Sequence, residues 1–230
     1  MKSDELAHNR SDSDSLPLPL NLKNSGVQDM TDSDSDELVW YLAYGSNLKM
    51  ERFFKYIGKC RDSRRPRLDQ NFKTRHQLYF AKNAPRWENK AVAFIRPTAS
   101  DDFETLGRRF LISREQLEDI LAQENGADSG DSRFSFSLSD FESQDSELFG
   151  TGWDDLLIRL RADEQDEWPM FTLTSSTKYV ANVPSLKYLK VVATGLHQTW
   201  WLSTREIAEY LLEKEGIAGN FDFDALSRML

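Results

Sequence analysis

The densest chemistry in this 230-residue chain lies in eight residues, Tyr41 to Leu48 (YLAYGSNL). An uncharged apolar run, VWYLAY, stops at Gly45; Ser46 and Asn47 follow, and then Leu48, Phe53, Phe54 and Ile57 recur at helical spacing. That pattern describes a buried strand, a tight turn and a helix. Such a junction leaves backbone N–H groups unpaired and pointing outward at the positive end of a helix. A carboxylate or a developing oxyanion would be held there. Gly45 admits a ligand close to the backbone, Ser46 or Asn47 can cap the helix, and Tyr44 brings a hydroxyl to the rim. The same residues also make a plain strand-to-helix turn capped by Asn47, and residue types alone leave both readings open.

Other reactive side chains carry less. Cys60, the one cysteine, needs a neighbouring base to act as a nucleophile and otherwise reads as a small buried residue. Residues 59–67 (KCRDSRRPR) place five basic groups in nine, a solvated basic loop that could also attract acidic parts of the same chain. His8, His76 and His197 stand alone, and no HExxH or CxxC spacing points to a metal, so zinc hydrolysis is disfavoured. Ser46 lacks the GxSxG context of a serine hydrolase. Trp200 and Trp201 are expected to pack at the edge of the core.

YLAYGSNL closely resembles the YGSN signature of the γ-glutamylcyclotransferase-like superfamily. Two further stretches match in order: residues 110–126 (FLISREQLEDILAQENG) resemble its strand, helix and catalytic-glutamate segment, and residues 184–198 (PSLKYLKVVATGLHQ) its late Pro-Ser-x-x-Tyr-Leu helix ending in glycine. The resemblance covers most of residues 39–212. It implies an α+β fold, a small mixed β-barrel flanked by helices. It also implies a substrate loop at Tyr44, Gly45, Ser46 and Asn47, and a catalytic Glu124 that drives release of 5-oxoproline from a γ-glutamyl amide, with no cofactor and no metal. Glu115 and Glu118 lie on the same helix outside the motif position. A glutamate in a last helical turn sits at the negative end of the dipole, which disfavours the carboxylate and makes it a better base. Two departures stand out: Asn125 separates Glu124 from Gly126, where relatives commonly have glycine directly after the glutamate, and the strand FTLTSS lacks a tyrosine. A non-catalytic γ-glutamyl-like binding module, or an amide hydrolase giving glutamate, are the competing functions.

These residues need a frame. The chain has 38 acidic and 29 basic side chains, a net charge of −9 and the wrong sign for a phosphate-backbone binder, so no nucleic-acid partner is expected. The charge is uneven: the first 38 residues contribute −6 and residues 127–148 contribute −5, leaving a nearly neutral body. Residues 1–37, rich in Ser, Asp, Asn and Pro around LPLPLNL, read as a disordered acidic tail. Residues 38–230 read as one domain, with an acidic, Ser-rich insertion at about 127–148 that could cover a neighbouring pocket. No apolar run approaches membrane-span length and the first residues lack signal-peptide order, so a soluble, cytoplasmic protein with no membrane partner and a small γ-glutamyl substrate is expected. Strands are expected at 76–81, 90–95 and 106–112, and a hairpin from 156–160 and 170–174. Ser113 and Gln116 form a capping box that opens a helix over 114–124, stopped at Gly126; further helices follow Pro184 and the box of Ser203 and Glu206, with a short one at the end. Strands arriving in runs favour α+β.

Overall fold

The computed structural model describes residues 37–161 and 166–230. The acidic tail expected over residues 1–37 lies outside them except for Glu37, which is anchored: its carbonyl accepts from the Arg114 N–H at 2.7 Å and its carboxylate pairs with the Arg114 guanidinium.

The frame is a six-stranded mixed sheet built around β1 (Leu38–Ala43). Its neighbours are β5 (Thr105–Ser113), antiparallel, and β8 (Met170–Thr174), parallel. Beyond β5 lies β2 (Leu68–Thr74), and beyond β8 lie β7 (Leu156–Leu160) and β6 (Ser146–Leu148). A central strand covered on both sides must be apolar on both faces, which is why VWYLAY shows no alternation. Val39, Tyr41 and Ala43 face one core, with α1 (Met50–Ile57) and α2 (Arg114–Glu124). Trp40, Leu42 and Tyr44 face the other, with the hairpin β3 (His76–Ala84) and β4 (Lys90–Ala99) and the helices α3 (Leu186–Trp200), α4 (Thr204–Leu212) and α5 (Phe223–Met229). Among the described residues no helix is long and apolar enough to cross a membrane.

The α+β class holds, but the expected closed barrel does not. β2 and β6 remain edges of the sheet, and β3 and β4 pair only with each other. Non-strand chain takes the hairpin's outer hydrogen bonds, which closure would need. Phe80 N–H donates to Glu215 O at 2.9 Å, Asn182 N–H to Phe80 O at 2.8 Å, and Ala91 N–H to Val183 O at 3.2 Å.

The acidic stretch is also more ordered than its composition suggests. Phe134, Phe136 and Phe141 are buried, and Phe136 and Phe141 lie 5.7 and 4.8 Å from the ring of Phe171 on β8. Three rings every few residues anchor the segment, while its Ser and Asp side chains stay largely at the surface. The basic loop is partly spent on the chain's own acids: Arg61 reaches Glu115, Glu118 and the fully buried Asp119 of α2. Trp201, expected at the core edge, is 83% exposed; Trp200 is the one that packs, its ring N–H donating to Gly107 O at 3.1 Å.

Candidate functional site

Beyond Ala43 the chain turns through Tyr44 and Gly45 into a single 3-10 turn, Ser46–Leu48, before α1 begins at Met50. The expected strand, tight turn and helix is found, with the turn wound into a 3-10 segment ahead of α1. Asn47 caps nothing: Lys49 is the α1 cap, without a side-chain bond, and a three-residue turn has little dipole of its own. What the turn does offer is direction, since the Ser46 and Asn47 N–H groups donate to no carbonyl among the described residues.

Two close approaches fix the turn. Gly45 has φ −111°, open to any residue, so its need is space: a Cβ there would lie 3.0 Å from the Tyr188 hydroxyl and 3.2 Å from Ala93 Cβ. Gly195 on α3 is tighter still, because a Cβ would fall 2.4 Å from Leu48 Cβ and 2.6 Å from the backbone at Leu48 and Lys49. The late helix therefore presses directly on the turn.

Freed from capping, the Asn47 side chain crosses to the end of α2 and donates to Glu124 Oε1 at 2.9 Å. The Tyr56 hydroxyl donates to Oε2 at 3.0 Å, and an Arg86 guanidinium nitrogen lies 3.7 Å from the same oxygen. Three elements thus hold and aim a carboxylate that is 13% exposed. Burial, then the Glu124 charge, pushes the Tyr56 hydroxyl up to about 12, so it stays a donor. Arg52 braces the turn: its Nε donates to Ser46 Oγ at 2.8 Å, and its guanidinium lies over the Trp87 ring.

Of these groups, Ser46, Asn47, Arg86 and Glu124 line a narrow cleft of about 60 Å3, room for a few waters or a short polar chain. Its walls are Tyr41 and residues 43–47, Arg86, Val92 and Ala93, Glu124, Asp154, Leu173 and Tyr188. The four residues of the proposed substrate loop and Glu124 are brought together here. Tyr44 differs from expectation, since its hydroxyl is not at the rim but donates to Leu173 O at 2.6 Å in the interior. Asn47 Oδ1 is buried and takes no hydrogen bond. The Tyr188 oxygen accepts from Ala93 N–H at 3.0 Å, and its own proton reaches no acceptor among the described residues.

No family model and no curated protein sequence matches the chain. Solved structures do align with it. They include a γ-glutamyl cyclotransferase, 18% identical over 84% of this chain and 99% of that chain, with a TM-score of 0.47. An uncharacterized human protein, loc79017, aligns at 18% identity over the same shares, with a TM-score of 0.48. YkqA from Bacillus subtilis aligns at 16% identity over 71% of this chain and 50% of that chain, with a TM-score of 0.43.

Sequence reasoning did not reach Tyr56, Arg86 or Asp154. Tyr56 falls within the apolar stripe of α1, three places after Phe53, and reads as packing, while Arg86 and Asp154 stand in turns without a motif. Asp154 is the most unusual of them: burial first, and the Glu124 charge second, push its carboxyl up to about 8, against the opposing pull of Arg86. Asn125, the residue that interrupts the resemblance, is what holds it. Its Nδ2 donates to Asp154 O at 2.9 Å and its Oδ1 accepts from Asp154 N–H at 3.1 Å.

Proposed function

We propose that the cleft is the active site of a metal-independent cyclotransferase that closes a γ-glutamyl amide or peptide on itself, releasing 5-oxoproline and a free amine. The observation that carries this reading is the 2.9 Å contact between Asn47 of the turn and Glu124, 77 positions apart, at the mouth of unpaired donors. Glu124 acts as the general base. Free α-amines titrate at about 7.7 to 8.0, so the uncharged fraction of the substrate amine is the one that attacks, and Glu124 takes a proton from it as the new bond forms. The nitrogen closes a five-membered ring on its own γ-carbonyl, and holding the chain bent supplies much of the acceleration. The Ser46 and Asn47 N–H groups and the Tyr188 hydroxyl are free to stabilise the oxyanion. Arg86 in the cleft wall suits the substrate's α-carboxylate, and the unpartnered Asn47 Oδ1 suits its N–H groups.

The test is a mass-spectrometric screen of γ-glutamyl amides and peptides. Release of 5-oxoproline with the free amine supports the proposal. Glutamate in its place would make the protein a hydrolase, and neither product from any compound would leave a binding module.

A further inference from the structure

The cleft holds a second carboxyl that the reaction above does not use. Asp154 lies on residues 150–155, which are built to present it. Gly150 and Gly152 adopt φ +67° and +84°, and a Cβ on Gly152 would sit 1.9 Å from Asn125 Oδ1, so glycine is needed there for both conformation and space. Asn125 clamps the backbone of Asp154 from both sides. Lys82 lies 4.9 Å from the Trp153 ring and 4.2 Å from the Tyr179 ring, securing the neighbouring residue. The carboxyl itself takes no hydrogen bond or ion pair from any described residue. The groups facing it are Glu124 from α2, Arg86 from the β3–β4 turn, the hydroxyls of Tyr41 on β1 and of Tyr44 just beyond it, and adjacent Asp155. Asp155 is turned away, bound to the Ser176 N–H and hydroxyl at 2.8 and 2.7 Å. In the same cleft the buried, unpartnered Asn47 Oδ1 marks a place for a donor that the protein does not supply.

We propose that Asp154 is the proton donor to the leaving amine, so that the cleft divides between two carboxyls the acid and base work that a single glutamate would otherwise alternate. This rests on the cyclotransferase reading. Glu124 is met by donors from Asn47, Tyr56 and Arg86, and Asp154 by none, so the carboxyl without donors is the one that keeps its proton. With the substrate amine uncharged, its nitrogen forms the bond to the γ-carbon while Glu124 takes one of its two protons. The bond from that carbon to the leaving nitrogen then breaks, and the leaving nitrogen takes the proton of the Asp154 carboxyl. Lactam and amine depart, and the protonated Glu124 passes its proton to the Asp154 carboxylate, restoring both.

Leaving-group dependence tests this, because an amine that departs as a stable species needs no acid. Wild type and Asp154→Asn are compared on a γ-glutamyl alkylamide and on γ-glutamyl-p-nitroanilide. The expected result is a kcat loss of about 10² to 10⁴-fold on the alkylamide and less than about tenfold on the anilide. Equal losses on both, or none, overturn the assignment while leaving the cyclotransferase reading intact. Wild type that releases 5-oxoproline from neither substrate overturns both. If Asp154→Asn does not fold, Asp154→Glu replaces it: the displaced acid must give the same split in smaller measure, and an equal loss on both substrates again overturns the assignment.

Discussion

Around Glu124 the cleft is walled by residues 43–47 and by Asp154 of the 150–155 segment, and the two are fixed by different means. The first wall is set by shape: α3 meets it through Gly195 with no room for a methyl group, and Gly45 lies against Tyr188 and Ala93. The second is set by polar bonds, a pair from Asn125 and a cation against the Trp153 ring, and its tight approach at Gly152 is to the Asn125 side chain and not to backbone. Packed shape tolerates little, because interiors are close to crystal density. Hydrogen bonds can be removed one at a time at modest cost. The difference teaches that the substrate loop is bound to the stability of the fold, whereas the placement of Asp154 can be altered with the core left intact.

The largest expected effect exposes the charge state of the second wall. An ordinary Asp titrates at 3.8, and burial with the Glu124 charge beside it pushes Asp154 in the folded chain up to about 8. Below about pH 4 both states bind the proton and nothing distinguishes them. Between about 4 and 8 only the folded state keeps it, so rising pH favours unfolding, by up to about 1.4 kcal/mol per pH unit. Above about 8 the penalty is complete. Asp154→Asn should therefore show a flatter fall of stability than wild type over that window, measured by urea unfolding at a series of pH values. Parallel curves would mean that Asp154 is ionised like a surface carboxylate.

Next comes the first wall. Gly195→Ala should cost about 3 kcal/mol, since the added methyl meets backbone at Leu48 and Lys49. Activity should fall with it, as a lower melting temperature and a raised KM together. A stable Gly195→Ala with unchanged KM would show that the turn is not set by α3. Smaller still is Asn125→Ala, which removes the two bonds to Asp154. A loss of about 1 to 2 kcal/mol is expected. Its kcat should drop more than its KM rises; a KM effect alone would place the clamp in binding.

Elements fixed by local signals were legible in the residues. The capping box of Ser113 and Gln116 forms, with Gln116 N–H donating to Ser113 Oγ at 3.1 Å, and α2 ends at Glu124 as its spacing requires. The box of Ser203 and Glu206 likewise opens α4. Elements set by distant partners were not. The strand β2 (LDQNFKT) is largely exposed along its length, so it has no alternation to betray it, and it forms because β5 offers an edge. The phenylalanines at 134, 136 and 141 were masked by the acidic residues around them, although their burial, that of Phe136 and Phe141 against Phe171, decides where the segment lies. At the site, residues 44–47 and Glu124 could be singled out, but not the bond between Asn47 and Glu124. No local pattern encodes it, nor the meeting of Arg86, Tyr56 and Asp154 around it.

Glu124→Gln is the most direct probe of the central claim, because it keeps the size and hydrogen-bonding reach of the side chain and removes its ability to take a proton. Release of 5-oxoproline from the best γ-glutamyl substrate of the panel should fall in kcat by about 10² to 10⁴-fold, with KM and melting temperature nearly unchanged. Near-full release by Glu124→Gln would contradict the account, since the carboxylate that Asn47, Tyr56 and Arg86 surround would then not be the base.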